Sequence, residues 1–293
     1  RRQDGGGGRP TGRSGSRMSG PLAGRTIFIT GASRGIGRAI ALRCAKDGAN
    51  LVIAAKTDAP NPKLAGTIHS VAAEVEAAGG HALAIQLDVR EDEKIAEAMR
   101  AAVDHFGGLD AVINNAGAIS LTPAAFTPLK KVDLMFGINV RAAYACAHHA
   151  IPYLKLSKNP HILSLSPPID LDPKWFRNHT AYTISKYGMT MATIGLAAEL
   201  GPVGIAVNSL WPRTIIETAA LKLVGGEALG RQARTPEIMA DAAYAILTTP
   251  SRELTGQQLL DEAFLRSRGV TEFEHYAVTP GVNLLTDLFV NPE

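Results

Sequence analysis

Tyr182 and Lys186 stand four residues apart in Tyr182-Thr-Ile-Ser-Lys186, at the start of a long helical pattern. Positions i and i+4 share a helix face, so the phenol and the ammonium point the same way. A cation beside a phenol favours the phenolate and lowers its pKa toward working pH. Such a tyrosine can give a proton to a carbonyl, or take one from an alcohol, while a hydride moves. The spacing alone also describes an ordinary surface pair, so it gains meaning only from its surroundings.

A second constellation supplies those surroundings. Gly31, Gly35 and Gly37 lie in Thr30-Gly-Ala-Ser-Arg-Gly-Ile-Gly37, after the apolar run Thr26-Ile-Phe-Ile29 and before the amphipathic run Ala39-Ile-Ala-Leu-Arg-Cys-Ala45. Strand, glycine turn and helix together make a dinucleotide site, whereas three glycines alone make only a turn. The absent side chains let the backbone approach a pyrophosphate, whose charge then sits at the positive end of the helix. Gly31, Ser33, Arg34, Gly35, Ile36 and Gly37 are the candidate contacts.

The elements that must position these groups alternate along the chain. Residues 51–55, 82–87, 111–113, 161–165 and 205–208 read as short buried strands, with helical patterns near 64–78, 91–106, 130–155 and 181–200. Continuous apolar strands separated by helices predict a parallel sheet covered on both faces, a Rossmann-type doubly wound α/β fold in one domain. Loops 56–63 and 167–179 follow strands and so lie at the carboxyl edge, where ligands bind in this architecture. The expected division is an extension over 1–22 and one domain over 23–293, with a C-terminal extension from about 262.

Composition narrows the partners. The chain has 293 residues, 46% hydrophobic and 19% charged, with a net charge of +3. Residues 1–17 hold five arginines against Asp4, which leaves −1 for the rest, so nucleic acid is not an expected partner. That first segment, with glycines at 5–8 and no apolar residue, is expected to be disordered, and Met18 to be the native start. No stretch is long and apolar enough to span a bilayer. Cys44 and Cys146 both fall in apolar helical patterns, which suits buried thiols in a reducing cytoplasm. The eight histidines show no metal-ligand spacing, so no metal is expected.

Taken in order, the glycine stretch, Asn114-Asn-Ala-Gly117 and Tyr182-Thr-Ile-Ser-Lys186 resemble the short-chain dehydrogenases/reductases, from Arg25 to about Asp261. Ile53-Ala-Ala-Lys-Thr57, Leu163-Ser-Leu-Ser-Pro-Pro168, Ala181–Gly188 and Leu210-Trp-Pro-Arg-Thr214 resemble one branch of that family, whose longer members carry a C-terminal sterol-carrier domain. The resemblance implies that Tyr182 is the acid/base and that Lys186 also binds the nicotinamide ribose. It implies that Asn139 holds a water in a proton relay, and that Asp88 and Val89 meet the adenine. By the same resemblance Asn115, Ala116 and Gly117 pass beneath the adenosine, and Pro212 and Thr214 border the cofactor. Asn114, Asn115 and Asn139 are also residues that cap or turn a backbone, and Asp88 one that starts a helix. A homo-oligomer, dimer or tetramer, is implied as well.

Charge argues for the form of the cofactor. An acid near the end of the second strand would bind a ribose diol and repel a 2′-phosphate. That position holds Ala55, with Lys56 next to it, and Arg34 adds a second cation. The expected cofactor is therefore NADP(H), although Lys56 taken alone reads equally as a solvated loop charge.

Several positions leave the family pattern. The serine expected after the fifth strand falls on Pro167, which offers no donor, so Ser166 is the candidate substitute and Ser164 a weaker one. The longer loop to Tyr182 holds Trp175 and Phe176, which either line an apolar substrate pocket or anchor the loop. Trp211 is a third candidate for the pocket. Arg213 replaces a glycine and either meets a phosphate or an acidic substrate group near the nicotinamide or points into solvent, while Glu262 and Ala263 replace glycines near the last strand. The apolar residues of the tail beyond, Phe273, Tyr276, Leu284, Leu285 and Phe289, should dock on the domain or on a partner subunit. The expected activity is interconversion of a carbonyl and a secondary alcohol on an apolar, lipid- or steroid-like small molecule. A catalytically weak, cofactor-sensing or assembly subunit is the alternative.

Overall fold

The computed structural model describes residues 20–292 except Lys63. Of the disordered extension expected over 1–22, residues 1–19 and the start at Met18 lie outside the described residues, whereas Leu22 is buried in the core. Seven strands run β1 (Thr26–Thr30), β2 (Asn50–Ala55), β3 (His81–Gln86), β4 (Ala111–Asn114), β5 (His161–Ser164), β6 (Ala206–Trp211) and β7 (Gln258–Leu260). They form one sheet in the order β3-β2-β1-β4-β5-β6-β7, parallel throughout. The order reverses between β1 and β4, so a crevice opens beyond their carboxyl ends.

Helices α1 (Gly35–Ala45), α2 (Ile68–Ala78), α3 (Asp92–Phe106), α4 (Leu129–Met135) and α5 (Ala142–Leu154) precede β5. Helices α6 (Thr180–Leu200), α7 (Ala219–Gly230), α8 (Glu237–Thr248) and α9 (Asp261–Ser267) complete the set. Strand alternation divides the core between two faces. Ile27, Ile29, Leu51 and Ile53 join Ile40, Cys44, Ala243 and Ile246 on the α1/α8 side. Phe28, Val52 and Ala54 join Met99, Cys146 and Ala147 on the α3/α5 side. Both thiols are thus buried in apolar surroundings, which push their pKa values up to about 12.

Two helical boundaries differ from the sequence expectation. The pattern over 64–78 becomes a helix only from Ile68, because the Thr67 hydroxyl caps Ser70 N while Ser70 Oγ answers Thr67 N. The pattern over 130–155 divides into α4, a π-helical turn Phe136–Arg141 and α5. A π turn shifts the hydrogen bonds by one residue without interrupting the apolar pattern, so periodicity does not reveal it. After α9 the chain is largely irregular. Phe273 and Tyr276 pack into the α1/α8 face, while Phe289 and Val290 enter a third cluster with Met135, Trp175, Tyr182, Tyr187 and Trp211. Among the described residues, no helix is long and apolar enough to cross a membrane.

Candidate active site

The glycine turn is shaped by its neighbours. Gly31 and Gly35 take φ of 66° and 56°, a region that side chains rarely adopt. A Cβ at Gly37 would lie 2.5 Å from Asn115 Nδ2 and 2.8 Å from Gly31 O, so only glycine fits. Asn115 Nδ2 donates to the carbonyls of Thr30 and Gly31, both at 3.0 Å. Thr30 Oγ1 accepts from the N–H groups of Asn115 (3.1 Å) and Ala116 (3.0 Å). The end of β4 and the glycine turn are thereby stitched into one rigid floor. Ser33 is buried there, and Ile36 packs half-buried against the α1/α8 face.

The first turn of α1 carries no acid, and Arg34 at its N-cap makes no side-chain cap. Its N–H groups and positive end are thus left for an anion. At the carboxyl ends of β4, β5 and β6, Asn114 Oδ1 and the hydroxyls of Ser166 and Thr214 are buried without a hydrogen-bond partner. An uncapped helix start after a tight glycine turn, with unanswered buried polar atoms along the same sheet edge, fits a dinucleotide.

Arg34 donates to Ala65 O (3.0 Å), Gly66 O (2.9 Å) and Thr57 Oγ1 (3.2 Å), which fixes its guanidinium beside the loop after β2. Lys56 is largely exposed, and its Nζ lies 3.1 Å from Asp88 Oδ2. Arg90 Nη2 donates to the same oxygen at 2.5 Å. The Arg90 hydrogen bonds foremost, and then Lys56, hold the Asp88 carboxyl well below the usual carboxylate range. Val89 is buried beside it.

The expected catalytic residues are held by the π turn, α6 and the segments that follow β4 and β5. Asn139, fully buried in the π turn, accepts from Ala118 N (2.9 Å) and donates to Ala118 O and Ser185 Oγ (both 2.9 Å). A Cβ on Gly117 would lie 3.5 Å from Asn139 Oδ1 and 3.8 Å from Lys186 Nζ, so these three groups converge. Lys186 donates to Leu165 O at 2.8 Å and lies 5.2 Å from the Trp211 ring, and burial pushes its pKa down to about 8. Tyr182 is also buried, and here the structure departs from the expected lowering of its pKa. Burial raises it, with a further push from Asp287, because loss of water outweighs any help from an ammonium already committed to a carbonyl.

The serine question resolves into two different environments. Ser164 Oγ accepts from Asn114 Nδ2 at 3.3 Å, whereas Ser166 Oγ has no partner. Pro167 uses its carbonyl to accept from Thr190 Oγ1 at 2.7 Å.

Trp175 anchors its loop, since Nε1 donates to Asp170 Oδ2 at 2.8 Å, and it also faces inward to Phe289 at 6.1 Å. Phe176 packs edge-on to Tyr187 at 5.6 Å. Trp211 lies 5.9 Å from the Phe289 ring. Beyond β6, Pro212 leads to Thr214, which bridges to Thr286 in the tail. Arg213 Nε stands 4.0 Å from Glu262 Oε2, so this arginine turns toward the carboxylate that replaces a family glycine. Arg234 and Arg266 also hold Glu262, at 2.5 and 2.7 Å.

Sequence reasoning missed Asp287, a half-buried carboxyl that loss of water pushes up to about 7 and that acts electrostatically on both Tyr182 and Lys186. The segment Thr-Asp-Leu carries no signal of such a role. Phe289 was legible only as an apolar residue of a docking tail.

A family model described as short chain dehydrogenase matches residues 25–225. Hydroxysteroid dehydrogenase-like protein 2 of Danio rerio is 57% identical over 93% of this chain and 65% of its own length. The chain thus spans just under two thirds of that relative. A solved structure of a putative dehydrogenase from Xanthomonas campestris is 52% identical, with a TM-score of 0.90 over 92% of this chain and 99% of that one. A short chain dehydrogenase from Mycobacterium thermoresistibile is 49% identical, with a TM-score of 0.87 over 92% and 96%.

Proposed function

The chain belongs to the short-chain dehydrogenase/reductase family, whose members are oxidoreductases that bind nicotinamide cofactors, and from that premise we propose an NADP(H)-dependent reductase of apolar carbonyl compounds. The observation that carries this reading is the convergence of Lys186 and Asn139 beside Gly117, with Tyr182 one turn earlier on α6 and packed among aromatic rings. When bound, the nicotinamide gives hydride to the carbonyl carbon, or takes it from the alcohol carbon.

This chain's residues do the rest. Tyr182 delivers the proton to the carbonyl oxygen. Lys186, released from Leu165 O, holds the ribose and stabilises the phenolate that remains. Asn139 fixes the backbone at Ala118 and leads a water-borne proton toward Lys186. Ser166, whose buried hydroxyl lacks a partner, holds the substrate oxygen in place of the family serine. The floor formed by Asn115, Ala116 and Gly117 supports the adenosine, and Lys56 with Arg34 receives its 2′-phosphate.

Trp175, Phe176 and Trp211 support an apolar substrate, since an aromatic wall offers area and few hydrogen bonds. Tyr144, Ile184, Met191 and Ile194 lie exposed on α5 and α6, which supports a homo-oligomer. NADPH oxidation measured over ketones of graded apolarity tests the substrate class. Rates should climb with apolar area, and faster turnover of small polar ketones would overturn that part of the proposal.

A further inference from the structure

The tail residues Thr286 to Val290 pass directly over Tyr182. Asp287 N donates to Arg213 O at 2.9 Å, and Trp211 Nε1 donates to Leu288 O at 2.8 Å. The Phe289 ring stacks on Tyr182 with centroids 6.1 Å apart and an interplanar angle of 30°. Tyr187, Trp211, Trp175 and His179 surround it at 5.3, 5.9, 6.1 and 6.3 Å. Phe289 is 3% exposed, yet Tyr182 beneath it is only 5% exposed, so a carbonyl cannot reach the phenol past this ring.

Two features mark the segment as a movable part rather than ordinary core. Phe289 has φ of 73°, a left-handed conformation that is unfavourable for a bulky residue and persists only where the surroundings enforce it. The rest of the segment is less enclosed, since Thr286, Asp287 and Leu288 are only half-buried, and beyond the buried Val290 the exposed Asn291 is held by Lys174 Nζ at 2.5 Å and by Asp170.

We propose that residues Thr286 to Val290 are a strap occupying the substrate's own place, and that Phe289 marks what displaces it: a flat, ring-bearing apolar carbonyl compound. The inference rests on the reading of Tyr182 as the proton donor and extends it to the shape of the substrate. The aromatic cage that receives Phe289 would receive the substrate's ring. Trp211 Nε1, released from Leu288 O, becomes free to donate to an acceptor on the incoming molecule. Binding is weakened by the fraction of time the strap is closed.

The test uses the full chain, wild type and Phe289→Ala, with 2-tetralone as the bicyclic ketone, acetone as the small one and NADP+ as cofactor for binding. The chain has two tryptophans, Trp175 and Trp211, and both face Phe289. Acrylamide quenching of their fluorescence in the ligand-free protein therefore reports strap opening, and it should rise several-fold in Phe289→Ala. The KM for 2-tetralone should fall by about tenfold if the wild-type strap is open about a tenth of the time. Acetone, barred from Tyr182 by the same strap, should show the same fall in KM. In the wild type, amide hydrogen exchange over residues 286–290 should speed up when 2-tetralone and NADP+ are added, a readout that does not depend on the variant folding. Unchanged quenching in a folded variant, a raised KM for 2-tetralone, or exchange that ligand leaves unchanged or slows would each overturn the strap and make Phe289 a fixed wall. If neither ketone turns over, the reductase reading fails, while quenching and exchange still decide the strap.

Discussion

Removing Lys56 separates the two nicotinamide cofactors on charge alone. Its ammonium is largely exposed and 3.1 Å from Asp88 Oδ2, so a phosphate bound there gains one solvent-screened charge contact. Such a contact contributes about 1 kcal/mol, so Lys56→Ala should weaken NADPH about fivefold. Arg34 is better placed, since three hydrogen bonds from Arg34 to the loop after β2 hold its guanidinium in position. A pre-set guanidinium on phosphate contributes about 2 kcal/mol, so the double variant Lys56→Ala/Arg34→Gln should lose roughly 100-fold in NADPH affinity. NADH lacks the phosphate and should change by no more than about twofold for Lys56→Ala. Removal of Lys56 even leaves the Asp88 carboxylate, still held by Arg90, with an oxygen freer to accept from a ribose hydroxyl. Fluorescence titration of both cofactors at low and high salt measures these differences, and the NADPH preference should shrink as salt rises. Equal losses for the two cofactors, or none for either, would refute the placement of the 2′-phosphate.

Two further outcomes follow from buried groups. Ser166→Ala removes a hydroxyl that has no partner in the fold, so stability should hold or rise slightly, while kcat for ketone reduction falls by about 10- to 100-fold; an unchanged kcat would remove Ser166 from the site. His161, buried on β5 with its ring against Thr249 O at 3.1 Å, has its pKa pushed by burial down to about 4. A folded pKa below the unfolded one gives stability that is present above about pH 6.5 and lost as pH falls through about 4. Urea unfolding should therefore show wild type losing up to about 3 kcal/mol more than His161→Gln between neutral and pH 4, and parallel pH profiles would contradict it.

The sheet and most of its helices were legible because each strand is a short apolar run and each helix keeps its own period. The glycine turn was legible for the same reason: Gly37 cannot take a side chain beside Asn115, and sequence records that as a fixed glycine after a strand. What the sequence could not express was contact between distant segments. Asn139 looked like a helical residue, yet a π turn aims its amide at Ala118 and Ser185. For Arg213 the sequence leaves a phosphate, an acidic substrate group or solvent open, and only the fold brings Glu262, itself a departure from pattern, to 4.0 Å. The tail carried no motif at all. Its Asp287 matters because the fold brings it, half-buried, near Tyr182 and Lys186, and its Phe289 because five aromatic side chains from other elements meet around it. The rise in the Tyr182 pKa has the same origin, since i, i+4 spacing brings Lys186 near but says nothing of how much water remains.

The central claim is that Tyr182 moves a proton to a carbonyl, and the most direct measurement is single-turnover NADPH oxidation with a ring-bearing ketone, wild type beside Tyr182→Phe. The variant keeps the ring that stacks on Phe289 and loses only the hydroxyl, so NADPH affinity and melting temperature should stay close to wild type. The account predicts that turnover falls by at least about 100-fold, a loss on the scale of general acid catalysis. Turnover preserved in Tyr182→Phe, or wild type that binds NADPH and reduces nothing, would contradict it and favour a cofactor-sensing subunit.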